Sequence, residues 1–594
     1  MPLVVQKFGG TSVANSEKIK AAAQRAVGAR QEGKQVVMVV SAMGHNTDAL
    51  VELAGQISDR PQAREMDMLL STGEQVSVAL MAMAIHALGH EAVSMTGAQI
   101  GIKTDSTHTK ARIQSISTQR VRNALDEGKI VIAAGFQGID EDYNITTLGR
   151  GGSDTTAVAL AAVLQADACE IYTDVDGVYT TDPRVMPDAR RVRRVSYDEM
   201  LELASLGAGV MHNRSVEFAK KFSVPIHVRA SYSEEPGTLI SGAPESPDQA
   251  VGGAALAKDE ARVTILGVPD KPGTSLLIFS MIAAKAISVD MIVQNVGAAG
   301  IADLSFTVPR DELKATLAAA EAACRELGAE GVTCGDDVAK VSVVGLGMAK
   351  QTGVAQRMFR ALADAGINIL MITTSEIKIS ALVDRAQGVD ALRAVHAAFQ
   401  LDQQPAVRED EQLGQATPDH TARDAVAVVA RLQKMEELTI DDIALDDSQA
   451  RLTISGVADR PGIAASLFDA VAGDGIFVDM IVQSYGRQGK ANLSFTVPRS
   501  QYEQALELVR KLAEGAGCGP VSGSASVAKL SISGIGLRSH TEVAIRTFAC
   551  LSDAGINIDM ISTSEVRLNV VVDSQHAQDA LAAIERVFAD VRQE

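Results

Sequence analysis

The chain has no tryptophan, and aromatic residues make up only 3% of it. Cores built without large rings must come from Ala, Val, Ile and Met, which predicts aliphatic helix-on-sheet layers rather than aromatic clusters. Cysteine is scarce as well: Cys169, Cys324, Cys334, Cys518 and Cys550 are an odd, scattered five without paired ligand spacing. Neither a disulfide framework nor a zinc site fits that pattern, so reduced thiols and a cytoplasmic location are expected. No long Lys/Arg run occurs, and a formal charge of -19 repels phosphate backbones and anionic lipid. Nucleic acid and membranes are therefore not expected as partners. The N-terminus lacks the basic-then-apolar layout of a secretory signal. The most apolar helical stretch, Val78 to Leu88, is read as too short to span a bilayer.

What is present is length and repetition. A chain of 594 residues exceeds one ordinary core. Two breaks divide it: Ser241–Gly253, rich in Gly, Pro, Ser and Ala, and the polar stretch Leu401–Asp424. RVTILGVPDKPG from Arg262 returns as RLTISGVADRPG from Arg451, VDMIVQ from Val289 returns at Val478, LSFTVPR from Leu304 at Leu493, and DAGINI from Asp364 at Asp553, always 189 residues later. One long block has been duplicated. A fainter similarity inside each block, AKAISVDMIVQ against DAGINILMITTSE, makes four small units. Each reads strand, turn, helix, strand, strand, helix, strand, the βαββαβ ferredoxin-like order. The expected layout is a catalytic segment at 1–245, units at 261–335 and 336–400, a linker at 401–424, a third unit within 425–524 and a fourth at 525–594.

In the first 245 residues strands end in glycine-rich turns. Lys7-Phe8-Gly9-Gly10 follows a strand, and such a turn lets backbone N–H groups approach phosphate oxygens while Lys7 supplies a point charge. A bare Lys-x-Gly-Gly is equally a plain βα turn, and no G-x-x-x-x-G-K-[ST] occurs. Ser41 and Thr47 stand at the end of the next strand, where open α/β sheets bind ligands, although hydroxyls there also cap helices. Ser71-Thr72-Gly73-Glu74 matches a capping box, so Glu74 either caps its helix or meets a substrate ammonium. The sharpest local signal is TTLGRGGSDTTAVALAAVL. Gly151, Gly152 and the helix start form an anion site, Arg150 offers a bidentate fork, Ser153 sits between, and Asp154 either orients Lys7 or complements the helix dipole. The polar loop with Thr173, Asp174, Tyr179, Asp182 and Arg184 suits a nucleotide or is solvated surface.

These motifs together resemble the amino-acid kinase superfamily, and KFGGTSV, SAMG with Thr47-Asp48, STGE, GRGGSD and TDVDGVYTTDPR look like aspartate kinase; the small units resemble ACT domains. The resemblance implies a three-layer αβα kinase domain followed by four ACT domains, monofunctional, using ATP with Mg2+ brought by the nucleotide, to phosphorylate L-aspartate on its side chain. Glutamate as substrate, or a sensor without catalysis, stays open. The resemblance assigns Lys7, Phe8, Gly9, Gly10, Ser41, Thr173, Asp174, Tyr179, Asp182 and Arg184 to ATP. It assigns Ser41, Thr47, Glu74, Arg150, Gly151, Gly152 and Ser153 to aspartate, with Lys7, Arg150 and Asp154 catalytic. The ACT pattern implies effector contact by Asp270, Gly273, Val289, Asp290 and Gln294 with Asn368 and Ile369. The duplicate adds Asp459, Gly462, Val478, Asp479 and Gln483 with Asn557 and Ile558. Turn and strand-core roles would account for the same residues. Lysine and threonine are the implied effectors, and a homodimer through open ACT edges is expected.

Overall fold

The computed structural model describes residues 1–207, 209–285, 287–294, 300–405, 438–485, 489–537 and 542–592. Residues 406–424 of the expected linker and 425–437 after it lie outside them.

Eight strands form the first sheet in the order Arg194–Ser196, Thr238–Ser241, Ile226–Ala230, Ala168–Thr173, Leu3–Phe8, Gln35–Val40, Ile130–Ala134, Ala92–Met95. All neighbours are parallel except Ile226–Ala230 against Thr238–Ser241. Strands such as Leu3–Phe8 and Ile130–Ala134 are buried along their whole length, as sheets covered on both faces require. Alternation then sorts side chains between two cores. Leu3, Val5, Val37, Val39 and Val131 pack towards the helix Gly152–Leu164, whereas Val4, Phe8, Val36, Met38 and Ile132 pack towards the helices Ser16–Gln31 and Ala63–Ala87. Lys7 shares the face of Leu3 and Val5, so the period of two aims it at the helix that carries Asp154.

The helix expected at Val78 to Leu88 is 25 residues long and begins at Ala63. It is the one helix among the described residues long and apolar enough to cross a membrane by length and composition. It packs on the sheet through Val78, Met81 and Ile85 and buries Asp67 and Glu74.

A small four-stranded sheet, in the order Ile113–Ile116, Ile102–Thr104, Gln137–Ile139, Ile145–Thr147, completes the first half, and the strands from Gly253 onward build a twelve-stranded sheet in which the duplication is visible in the element bounds. Strands Ile301–Pro309, Met371–Thr374 and Lys378–Asp384 return as Lys490–Pro498, Met560–Thr563 and Arg567–Asp573. Three of the expected boundaries, at 261, 335/336 and 524/525, cut through strands. Gly253–Pro269 pairs through Arg262–Leu266 with Gly335–Gly331, but through Gly253–Ala257 with Val344–Lys340. The second unit thus takes its fourth strand from upstream of the first, which sits as an insertion. Thr439–Ala458 repeats the device with Val521–Ile535. The βαββαβ order in sequence holds for the first and third units; the second and fourth are βαββα with a borrowed edge. The borrowed stretch begins Gly-Ala-Ala-Leu-Ala, too poor in β-branched residues to read as a strand.

Two of the open edges through which a dimer was expected pair inside the chain. Met371–Thr374 pairs with Ile481–Gln483, and the two end strands approach each other where Gln294 Nε2 donates to the Ile558 carbonyl at 3.0 Å. The first unit therefore faces the fourth and the second faces the third. Methionines from all four, Met291, Met371, Met480 and Met560, share one core.

Candidate active site

Parallel strands end at one edge of the first sheet, and there a cavity of about 1060 Å3 opens. Lys7, Gly10, Ser41, Thr47, Glu74 and Arg150 to Asp154 all line it, so most of the sequence candidates converge. Lys7 Nζ lies 2.6 Å from Asp154 Oδ1, with the two side chains 10% and 13% exposed. Six Lys or Arg residues (7, 110, 112, 150, 214, 221) face four Asp or Glu (48, 74, 154, 217) in the lining. In a chain of charge -19 that local excess of cations focuses on an anionic ligand.

Close backbone approach explains the glycines. A Cβ on Gly10 would lie 2.8 Å from the Ala42 carbonyl oxygen. Gly151 precedes the helix Gly152–Leu164 at φ +70°, and a Cβ there would lie 2.3 Å from His212 Cβ. No side chain caps that helix, and while the Gly152 N–H donates to the Gly149 carbonyl at 3.0 Å, the N–H groups of Ser153 and Asp154 are left for an anion. Gly151→Ala is expected to lower kcat/KM by about a hundredfold, the scale of an ångström misplacement, with the far-ultraviolet spectrum retained. Steady-state kinetics on the folded variant check it, and wild-type kinetics would show that the loop tolerates the shift.

Glu74 is the sharpest correction. The helix begins eight residues before Ser71, with Gln62 as its N-cap, so Ser71-Thr72-Gly73-Glu74 caps nothing. Ser71 instead donates to the Met68 carbonyl at 2.9 Å. Glu74 crosses to the sheet, where Oε1 accepts the Ala42 N–H at 3.1 Å. Its Oε2 is buried without a hydrogen-bond partner among the described residues. Burial pushes its pKa up to about 7.

Other assignments part company with the cavity. The Phe8 ring is fully buried and stacks on Tyr172 at 4.7 Å between centroids, so only its backbone is available to a nucleotide. Gly9 donates to the Tyr172 carbonyl at 3.2 Å and is likewise absent from the cavity wall. Thr173, Asp174, Tyr179, Asp182 and Arg184 do not line the cavity either. Thr173 Oγ1 donates to Asp174 at 3.1 Å, Tyr179 to Asp176 at 2.8 Å, and Arg184 forks onto Asp182 at the surface. Thr180 of the same loop turns to the regulatory half, 3.1 Å from His396 Nε2.

Sequence reasoning missed one wall. His212 and, from the helix Asn213–Phe222, Arg214, Glu217 and Lys221 line the cavity, together with Lys110 and Arg112. The signal was a polar face at i, i+3, i+7. Burial and the Arg214 charge lower the pKa of His212, which is neutral at pH 7. Asp67 holds the Lys110 loop: it accepts from His108 Nδ1 at 2.7 Å, the Thr109 N–H at 3.0 Å and Thr147 at 2.5 Å. Ile535 and Gly536 reach the same cavity from the regulatory half.

The regulatory candidates regroup as the unit pairing demands. Asn368 Nδ2 donates to Asp459 at 2.6 Å and Gln483 to the Ile369 carbonyl at 3.1 Å, around a cleft also lined by Gly462. Asn557 donates likewise to Asp270 at 2.7 Å, beside Gln294 on Ile558. Asp270 thus goes with Asn557 and Ile558, and Asp459 with Asn368 and Ile369, the reverse of the expected partnership. Gly273 and Gly462 precede their helices at φ +89° and +91°. Val478 and Asp479 line a separate cavity of about 350 Å3, and Val289 with Asp290 line its duplicate, of about 80 Å3. Asp290 is held 2.5 Å from Lys340, which also meets Glu260 at 2.7 Å.

An anion cavity walled by glycine turns at the edge of a parallel sheet, with small α+β units behind it, defines a small-molecule kinase under regulatory control. Residues 2–230 match the amino acid kinase family, and residues 341–399, 452–512 and 530–588 match the ACT domain. The aspartate kinase of Pseudomonas putida strain KT2440 is 53% identical over 404 residues, 68% of this chain and 98% of that protein. The unmatched remainder is close to the length of one repeat. The crystal structure of aspartate kinase from Synechocystis covers 100% of this chain and 99% of its own, with 40% identity and a TM-score of 0.53. That of Escherichia coli aspartokinase III with aspartate and ADP covers 67% and 99%, with 25% identity and a TM-score of 0.57. The chain belongs to the aspartate kinase family and is a phosphotransferase.

Proposed function

We propose that the chain transfers the γ-phosphoryl group of MgATP to the side-chain carboxylate of L-aspartate, giving 4-phospho-L-aspartate, the entry to lysine, threonine, methionine and isoleucine synthesis. The observation that carries this reading is the Lys7–Asp154 pair at an uncapped helix start, inside a cavity rich in cations and floored by one buried glutamate. A carboxylate of pKa about 4 is ionised at neutral pH, so the acceptor needs no general base. Charge and position then do the chemistry. Lys7 and the N–H groups of Ser153 and Asp154 neutralise the phosphoryl oxygens, and the Asp154 carboxylate holds Lys7 in place. Arg150, at the cavity mouth, and Ser153 meet the α-carboxylate, and Glu74 meets the ammonium. Among the described residues no three His, Cys, Asp or Glu side chains gather as a metal site. Mg2+ would enter with the nucleotide phosphates and neutralise charge there, and Asp154, beside Lys7, is a cavity acid placed to meet it. Free thiols at all five cysteines favour a reducing cytoplasm as the working compartment.

The test is ATP-dependent hydroxamate formation with aspartate and with glutamate. Product from aspartate in clear preference is expected. A preference for glutamate would move the substrate, and no product with either would leave only a sensor.

For the regulatory half, we read residues 260–336 as a fourth ACT unit, because its strand order repeats that of the other three. The 350 Å3 cavity combines the uncapped start of the helix Val354–Asp364 with the carboxylates of Glu376, Asp446 and Asp479 and an apolar wall of Phe468 and Val471. Among the described lining residues these three acids stand against one cation, Lys529, which Asp479 holds at 2.5 Å. That arrangement suits an amino acid with a cationic side chain, which makes lysine the effector there. Threonine, shorter and uncharged, suits the clefts at Asp459 and Asp270. Calorimetry on the full chain should resolve lysine and threonine at separate sites that do not compete. Mutual competition for one site would overturn the two-pair arrangement.

A further inference from the structure

Duplication placed the same hairpin twice in the regulatory half, as Thr374-Ser375-Glu376 before Lys378 and as Thr563-Ser564-Glu565 before Arg567. The two copies have divided their contacts. In the first, Glu376 lines the 350 Å3 cavity and forms an ion pair with Arg567 of the other copy, while Lys529 stands 3.8 Å away. Lys378 turns the opposite way, into the seam with the kinase half, and reaches Glu202 Oε2 at 2.8 Å. In the second copy it is the acid that enters the seam. The Glu565 N–H donates to Glu202 Oε1 at 3.0 Å, and Glu565 Oε2 accepts from Asn213 Nδ2 at 3.1 Å.

Glu202, on the kinase helix Tyr197–Ser205, is wholly buried and touches both hairpins at once. Asn213 lies between His212 and Arg214, both in the wall of the catalytic cavity. The two hairpins, joined across by Glu376 and Arg567, thus seat one kinase carboxylate and one residue of the cavity wall.

We propose that the Glu376–Arg567 ion pair is a latch. A cationic amino acid entering the regulatory cavity competes for Glu376, releases Arg567, and lets the hairpins shift on Glu202 and Asn213 so that His212 and Arg214 move out of place. Glu565 and Asn213 are positioning residues in this scheme. The inference rests on the reading of the 350 Å3 cavity as a lysine site, and it adds the route from that site to catalysis. A ligand acts on an equilibrium only by its differential affinity for the two states. Cutting the latch therefore has a definite sign: the released state is populated without ligand, and lysine no longer competes with Arg567.

The test compares the full-length wild type with Arg567→Met by initial rates with and without lysine and by calorimetry with lysine. The variant should have a lowered rate without lysine, a ratio of rates with and without lysine close to one, and lysine binding tightened about tenfold, within the usual range of coupling factors. Arg567→Lys, which keeps a cation, should restore part of the response and serves if the methionine variant folds poorly. Unchanged inhibition or weaker lysine binding in Arg567→Met would overturn the latch while leaving the lysine site standing. Absence of lysine binding in the wild type would overturn the site and the latch together.

Discussion

Lys7→Ala is expected to lower kcat by about a thousandfold, the upper range for loss of one preorganised charge donor at a developing negative centre. The side chain leaves a central strand on the face of the helix Gly152–Leu164 and is held 2.6 Å from Asp154. It therefore reaches the reacting phosphoryl group without reorganising, which is what makes it effective in the transition state. Substrate binding draws on other groups, so KM for aspartate should change severalfold at most. Stability should survive because the orphaned Asp154 faces an open cavity and can take water. A second variant, Lys7→Ala with Asp154→Asn, removes even that charge and should melt with the wild type while staying inactive. Rapid-quench measurement of phosphoryl transfer reads the effect directly. A kcat within tenfold of wild type would remove Lys7 from the chemistry.

What could be read from the residues alone follows from how local each feature is. Gly151-Gly152 and Gly9-Gly10 are contiguous turns whose geometry follows from the absence of a Cβ, so their place at a strand end was legible. The offset of 189 was legible for the same reason: duplication leaves its trace along the chain. Which unit faces which was not, because edge pairing such as Ile372 with Gln483 joins residues over a hundred positions apart and any free edge would serve. The partnership of Asp270 with Asn557 was lost with it. Ser71-Thr72-Gly73-Glu74 misled because a capping box is a pattern of four residues, while a helix start depends on what precedes them; here the helix already runs from Ala63. Gly73 has its own reason, since a Cβ there would lie 2.8 Å from Ala42 Cβ. That contact lets the helix press close enough for Glu74 to reach the Ala42 N–H.

That reach sets up the second large effect. Glu74 has one oxygen on the Ala42 N–H and the other buried without a partner among the described residues, and desolvation lifts its pKa to about 7. A carboxylate in that condition gains most from an arriving ammonium, which supplies both the missing donor and a compensating charge. Below pH 7 the free enzyme holds Glu74 neutral, and above it ionised. Thus kcat/KM for aspartate should climb with pH through about 7, falling roughly tenfold per unit on the acid side. Bound substrate holds the group ionised, so kcat should lack that limb. His212 does not mimic the effect, because its pKa is shifted down from 6.5. Glu74→Gln keeps the shape but not the charge. It should lower kcat/KM by a factor of about 100 to 1000, the scale of breaking one partner of a buried pair, chiefly through KM. The acid limb should vanish with it. A wild-type profile flat from about pH 6 to 8, or a limb that persists in the glutamine variant, would place the substrate ammonium on some other group.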